Sequence, residues 1–139
     1  MSTHREILVQ LPGAGEVLGN ARLRAAVEDL TVFEYTIQSG TEPGAPHYHR
    51  NHADSFFVLE GQLQFQIEGK KINAPTGSLI VAPRGAIHGF PIATTDRATF
   101  INPHTPGGFE RYLRELTALR STGETPTATF YEGHDIYFV

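Results

Sequence analysis

The sequence predicts an all-β domain, and three observations predict it. Fourteen glycines and nine prolines cut 139 residues into short segments, the punctuation of turns rather than of long helices. Residues 62–67, QLQFQI, alternate strictly, with Leu63, Phe65 and Ile67 on one face and glutamines on the other, the period of a half-buried strand. Further runs of β-branched and aromatic residues recur between turn residues along the chain, at the spacing of short strands.

Taken in order, residues 5–10 form a weak β-type run. Residues 21–30 admit two readings, because Leu23, Val27 and Leu30 fit a helical face while Leu23, Ala25 and Val27 fit a strand; the strand spacing elsewhere favours the strand. Residues 31–38 are a clear strand. Residues 55–59 and 62–67 are expected to pair as a hairpin across Glu60 and Gly61. Residues 78–82, 88–92 and 97–101 supply the remaining strands. One helix is expected in GGFERYLRELTALR, where Phe109, Tyr112, Leu113, Leu116 and Leu119 recur at helical spacing and pack one apolar face onto the sheet. STGETPT, residues 121–127, reads as a surface linker. It leads to an aromatic tail, FYEGHDIYFV, expected to dock back on the body.

Composition narrows the function classes. With no cysteine, disulfide frameworks, thiolate metal sites and cysteine nucleophiles are excluded. A net charge of −4 and no basic run argue against nucleic acid and membrane surfaces as partners. No apolar stretch approaches the ~20 residues that cross a bilayer, and the opening residues lack a basic-then-apolar leader pattern. A cytoplasmic protein is expected.

The chemistry concentrates in HYHRNHAD, residues 47–54, where three of the seven histidines and an aspartate share eight positions. Neutral imidazole and carboxylate are ligands that borderline divalent metals accept. Side chains at i and i+2 share a strand face, so His47 and His49 can reach one ion while Tyr48 points away. Asp54 opens the next strand, after a bend through Arg50 and Asn51, and can return toward the pair. His52 lies in that bend and is expected to face solvent. Downstream, Pro83 and Gly85 build a tight turn after an apolar strand, and His88 begins the strand beyond it. His104, in NPHTP, reads as a loop or rim residue, and His4 and His134 as surface groups. Phe56, Phe65 and Phe90 read first as core, with the alternative that they line a cavity.

Two spaced patterns in this stretch resemble the signatures of the cupins. His47, His49, Asp54 and Gly61 fit the first, and Gly77, Pro83, Gly85 and His88 fit the second. The resemblance implies a double-stranded β-helix, or jelly-roll, barrel spanning about 30–102, with one C-terminal helix at about 107–119 and the aromatic tail at 128–139, all in a single domain. It also implies one divalent transition metal held by His47, His49, His88 and Asp54, with Fe2+, Mn2+, Ni2+, Co2+, Cu2+ and Zn2+ all compatible with the donor set. The acid is usually glutamate in this family, and Asp54 is one methylene shorter. Ile92 stands where the second signature closes on asparagine, and Thr41 where a glycine precedes the first pair. PGGFERYLREL followed by HDIYFV resembles the C-terminal region of bacterial quercetin dioxygenase-like single-domain cupins.

Three functions follow as expectations. The first is a dioxygenase that takes a small enolic or phenolic substrate and O2, with Asp54 as ligand, general base or both. The second is a non-redox cyclase or isomerase of a carbonyl metabolite, with Asp54 moving the proton. The third is a ligand-binding cupin without catalysis, weakened because no output module is attached. A symmetric homodimer is expected, both from the resemblance and from strand edges that must be covered, with residues 5–10 adding to the partner's sheet.

Overall fold

The computed structural model describes residues 6–139. Its strands are Val17–Leu18 (β1), Ala21–Val27 (β2), Leu30–Gln38 (β3), His47–Tyr48 (β4), Ala53–Glu60 (β5), Gln62–Ile67 (β6), Lys70–Pro75 (β7), Leu79–Ala82 (β8), Ile92–Ala93 (β9), Arg97–Thr105 (β10) and Tyr137–Phe138 (β11). Two helices, Glu110–Ser121 (α1) and Ala128–Gly133 (α2), lie between β10 and β11. A six-stranded sheet in the order β1-β2-β3-β10-β5-β8 faces a three-stranded sheet, β7-β6-β9, and β11 pairs with β4. No helix among the described residues is long and apolar enough to cross a membrane.

Strand alternation drives the closure. β10 buries Ala98, Phe100, Asn102 and His104 on one face, and β6 buries Leu63 and Phe65. Ala98, Phe100, Leu63 and Phe65 meet Ile37, Phe56 and Val58 from the large sheet in one core between the sheets. Each large apolar side chain removed from water there contributes about 1.5–3 kcal/mol. A smaller cluster of Ala21, Leu23 and Phe33 lies under Phe109 and Leu113, so the apolar face of α1 covers one end of the sheet as its periodicity requires. The Glu110 carboxylate anchors the start of that helix, accepting from the Thr31 hydroxyl at 2.6 Å and from the Gly108 amide at 3.1 Å.

Several expectations are corrected. β5 and β6 are not a hairpin: β5 pairs with β10 and β8, whereas β6 pairs with β7 and β9. Gly61 is the reason. Its φ of +73°, and a Cβ position that would fall 2.3 Å from the Arg97 carbonyl, let the chain turn from one sheet into the other. Arg5 lies outside the described residues, and residues 6–10 form no strand. Residues 88–92 are mostly irregular, with only bridges at His88 and a short β9. The aromatic tail contains a helix of its own, α2, capped by the Thr127 hydroxyl accepting from the Phe130 amide at 3.2 Å, so there are two C-terminal helices rather than one.

β10 runs four residues past its expected end, through Pro103 to Thr105. Proline removes a ladder donor and ordinarily ends or edges a strand. Here the ladder register, His104 opposite Asp54, places Pro103 opposite Ser55. The Ser55 carbonyl instead accepts from the Asn102 side-chain amide at 2.6 Å. A side chain replaces the missing backbone donor, and the strand continues in the middle of the sheet.

Candidate metal centre

His47 and His88 are brought face to face by backbone pairing: each amide donates to the other's carbonyl at 2.9 Å. The turn that delivers His88 is the one the sequence marks. The Ala86 amide donates to the Pro83 carbonyl at 3.0 Å, Gly85 takes φ +85°, and its amide donates to the His49 carbonyl at 2.7 Å. A positive φ at the third turn position is the type II requirement that glycine meets. One ring nitrogen from each of His47, His49 and His88 lies within 4.8 Å of the other two, so the structure assembles the three expected histidines.

Their tautomers follow from their neighbours. Each Nδ1 faces a backbone carbonyl, Ala45 for His47 (2.8 Å), Asp135 for His49 (2.8 Å) and Ala86 for His88 (2.9 Å). A carbonyl only accepts, so Nδ1 carries the proton in all three rings and donates. Nε2 is then the atom directed inward, as in histidine ligands oriented by an outer partner. The His49 Nε2 is buried with no hydrogen-bond partner. Once the His88 Nε2 proton is displaced, three lone pairs converge beside a carboxylate as a receptor for a cation, and the residues present fit a divalent metal.

That carboxylate is Asp54, buried on β5. Its Oδ2 lies 3.0 Å from His88 Nε2 and 3.4 Å from His49 Nε2, flanking the three-histidine set. Its Oδ1 accepts from the Asn102 amide at 2.7 Å. The Asn102 oxygen in turn accepts from His104 Nε2 at 2.9 Å. His104 is therefore no rim residue: it is 2% exposed, on the inner face of β10. Burial would raise the Asp54 pKa, but the charge of His104 and the nearness of the His49 and His88 rings hold it well below the usual carboxylate range. Burial would likewise lower His88, and the hydrogen bond and charge of Asp54 outweigh it, leaving His88 raised. Burial lowers His47 and His104 to about 4 each.

His52 also departs from expectation, since it is buried rather than solvent-facing. Its Nδ1 donates to the Asp135 carboxylate at 2.8 Å, and its ring stacks on His49 with centroids 4.1 Å apart. Sequence spacing offers no signal for this, because Asp135 comes from the far end of the chain. His104 did have one. The inward series Ala98, Phe100, Asn102, His104 keeps period 2 through Pro103, beyond the expected end of the strand at residue 101. His134 is only partly exposed, with Nε2 2.6 Å from a Glu115 oxygen. His4 lies outside the described residues.

The histidines form the floor of a cavity of about 460 Å³. Phe56 and Phe90 line it, together with Tyr35, Phe109, Tyr112 and Tyr131, whereas Phe65 belongs to the core. Burial pushes the Tyr112 hydroxyl up to about 12 and raises Tyr35 as well, so both phenols stay protonated and can donate. Tyr48 packs outside, stacked on Tyr137.

Comparison with known proteins agrees with this fold. Over 70 residues the chain is 29% identical to the quercetin 2,3-dioxygenase of Bacillus subtilis (strain 168), covering 50% of this chain and 20% of that one. The chain thus spans about a fifth of that relative's length. Among solved structures, KdgF from Halomonas sp. superposes with a TM-score of 0.60 at 25% identity, covering 66% of this chain and 81% of that one. A Klebsiella pneumoniae protein with a double-stranded β-helix domain gives 0.56 at 21% identity, covering 67% and 83%. The cupin domain profile matches residues 33–103, just over half of the sequence, and the chain belongs to the cupin family.

Proposed function

We propose that this cupin is a metal-dependent enzyme acting on a small enolic or phenolic molecule, and that the reaction is a dioxygenation. One observation carries the reading: three inward Nε2 atoms and a buried carboxylate form the floor of a cavity walled by aromatic rings. His47, His49 and His88 would hold the ion, which when bound supplies Lewis acidity toward a substrate oxygen and, if redox-active, a partner for O2. The 29% identity to a quercetin dioxygenase supports the oxidative branch.

The chain's own residues have separable tasks. Asp54 Oδ2 faces the floor while Asn102 restrains Oδ1, so Oδ2, once the His88 proton has left, is placed to accept a proton from an acidic hydroxyl. Phe56, Phe90 and Phe109 offer ring faces to a flat substrate. Tyr35 and Tyr112 line the same space, each a phenol able to donate to a second substrate oxygen. The apolar walls exclude water from the reacting atoms.

The restrained carboxylate also supports a second reading, proton transfer without oxidation, in which Asp54 moves a proton of a carbonyl metabolite. An oxygen electrode separates the two. Protein reconstituted with Fe2+, Mn2+, Ni2+ or Co2+ and given a flavonol should consume O2 only when metal and substrate are both present. Deuterium uptake from solvent without O2 consumption would favour the second reading, and no turnover with any substrate would leave binding alone.

A further inference from the structure

The tail reaches the histidine loop through one residue. Asp135 takes φ +63°, a conformation that among non-glycine residues is enriched in asparagine and aspartate. In that conformation its backbone and side chain face the same loop. Its carbonyl accepts from His49 Nδ1 at 2.8 Å. Its carboxylate accepts from the Arg50 amide, the Asn51 amide and His52 Nδ1, each at 2.8 Å. Those hydrogen bonds span 83 to 86 residues of sequence.

Neighbouring contacts hold the residue in place. Tyr137 and Phe138 pair with Tyr48 and His47. The Arg50 guanidinium lies 4.0 Å over the Tyr137 ring, within cation–π range. The Val139 amide donates to the Pro46 carbonyl at 3.2 Å. The tail therefore grips both ends of the segment that carries His47 and His49.

We propose that Asp135 is a positioning residue for the metal centre, and that docking of the tail and binding of a divalent ion reinforce one another. The inference rests on the metal reading above. Its physical basis is the outer hydrogen bond that sets the orientation and basicity of a ligating imidazole, together with a carboxylate that locks the loop on which that imidazole is carried. Removing such partners weakens metal affinity by about 10–100-fold. Coupling is reciprocal, so what the tail does for the ion, the ion must do for the tail.

The test titrates the metal-free protein with Co2+ alone, following its visible absorption and competition with a chromogenic chelator. Asp135→Gly keeps the positive φ and the carbonyl but loses the carboxylate. Asp135→Asn keeps one acceptor oxygen and tolerates the backbone. The expected order of affinity is wild type, then Asn, then Gly, with the Gly variant about 10–100-fold weaker and its Co2+ spectrum altered. Hydrogen exchange on the wild type supplies the second readout and does not depend on a variant folding. Co2+ should slow exchange at the Arg50 and Asn51 amides and across residues 135–138. Wild-type binding with unchanged affinity and spectrum in folded variants, or unchanged exchange on loading, overturns this inference alone. A wild type that binds no divalent ion overturns the metal reading and this inference with it.

Discussion

His88 Nε2 and Asp54 Oδ2 meet at 3.0 Å, while Nδ1 of the same ring donates to the Ala86 carbonyl. A ring that donates from both nitrogens is an imidazolium, so in the metal-free protein a proton sits on the atom a metal would use. Asp54 stabilises that proton and raises His88. Metal binding should release it. Below the His88 pKa, affinity should rise about tenfold per pH unit, the slope for one displaced proton, and level off above it. Calorimetry in buffers of different ionisation enthalpy reads the proton directly; zero release would mean that His88 is not a ligand.

Asp54→Asn should keep its metal, since three histidines remain, yet lose turnover by ~10²–10⁴-fold, the usual worth of a placed general base. Asp54→Glu restores the commoner cupin acid and should retain metal and part of the activity. Elemental analysis and steady-state kinetics on the same preparations decide. Full activity in Asp54→Asn would remove the acid from the chemistry.

His104 packs edge-on to Phe33 and stacks on Phe109, besides holding Asn102. His104→Ala should destabilise by roughly 2–4 kcal/mol, the scale for truncating a large buried side chain. It should leave metal stoichiometry at one, because His104 is not in the three-nitrogen set. Chemical denaturation with metal analysis checks both parts, and wild-type stability would show that the Asn102 bridge contributes little.

Acid should weaken the metal-free fold. His47 and His104 have folded pKa values near 4 against an ordinary 6.5, so between those limits the unfolded chain binds protons that the folded chain refuses. Stability is then complete above about 6.5 and falls as pH drops toward 4, the direction linkage requires. Asp54, lowered when folded, adds a loss at still lower pH. The His88–Asp54 pair acts oppositely, since its benefit through His88 fades as pH rises past the raised value. The net expectation is a Tm lower by roughly 5 °C or more at pH 4.5 than at pH 7, and a flat profile would contradict the lowering of these two rings.

The homodimer expected from unpaired edges can be tested at β8. It ends the six-stranded sheet, with Leu79 62% and Val81 56% exposed. Light scattering should give twice the monomer mass at micromolar concentration, and Val81→Lys should halve it, because charge on an edge opposes pairing. A wild-type monomer mass would remove the expectation.

Legibility in the sequence followed the range of the forces involved. Residues 62–67 and 31–38 announce their strands because period 2 is local. His47, His49 and His88 were readable because strand parity and the Pro83–Gly85 turn position them through neighbours. Hidden features were those fixed at long range. Pro103 runs inside a strand because Ser55, across the ladder, accepts from the Asn102 side chain in place of the missing donor. His52 is buried where Asp135 meets it and the His49, His104 and Phe109 rings pack on it. The mistaken hairpin at Gly61 had the same origin, since alternation identifies a strand's faces but not its neighbours.

Asp135 also bears on how the protein is made. The carbonyl that orients His49 is translated 86 residues after it. At ~5–20 residues per second that interval is roughly 4–17 s. During those seconds the first two histidines exist on the ribosome without the strut that aims them. Metal binding that draws on this strut therefore has to follow the synthesis of residue 135.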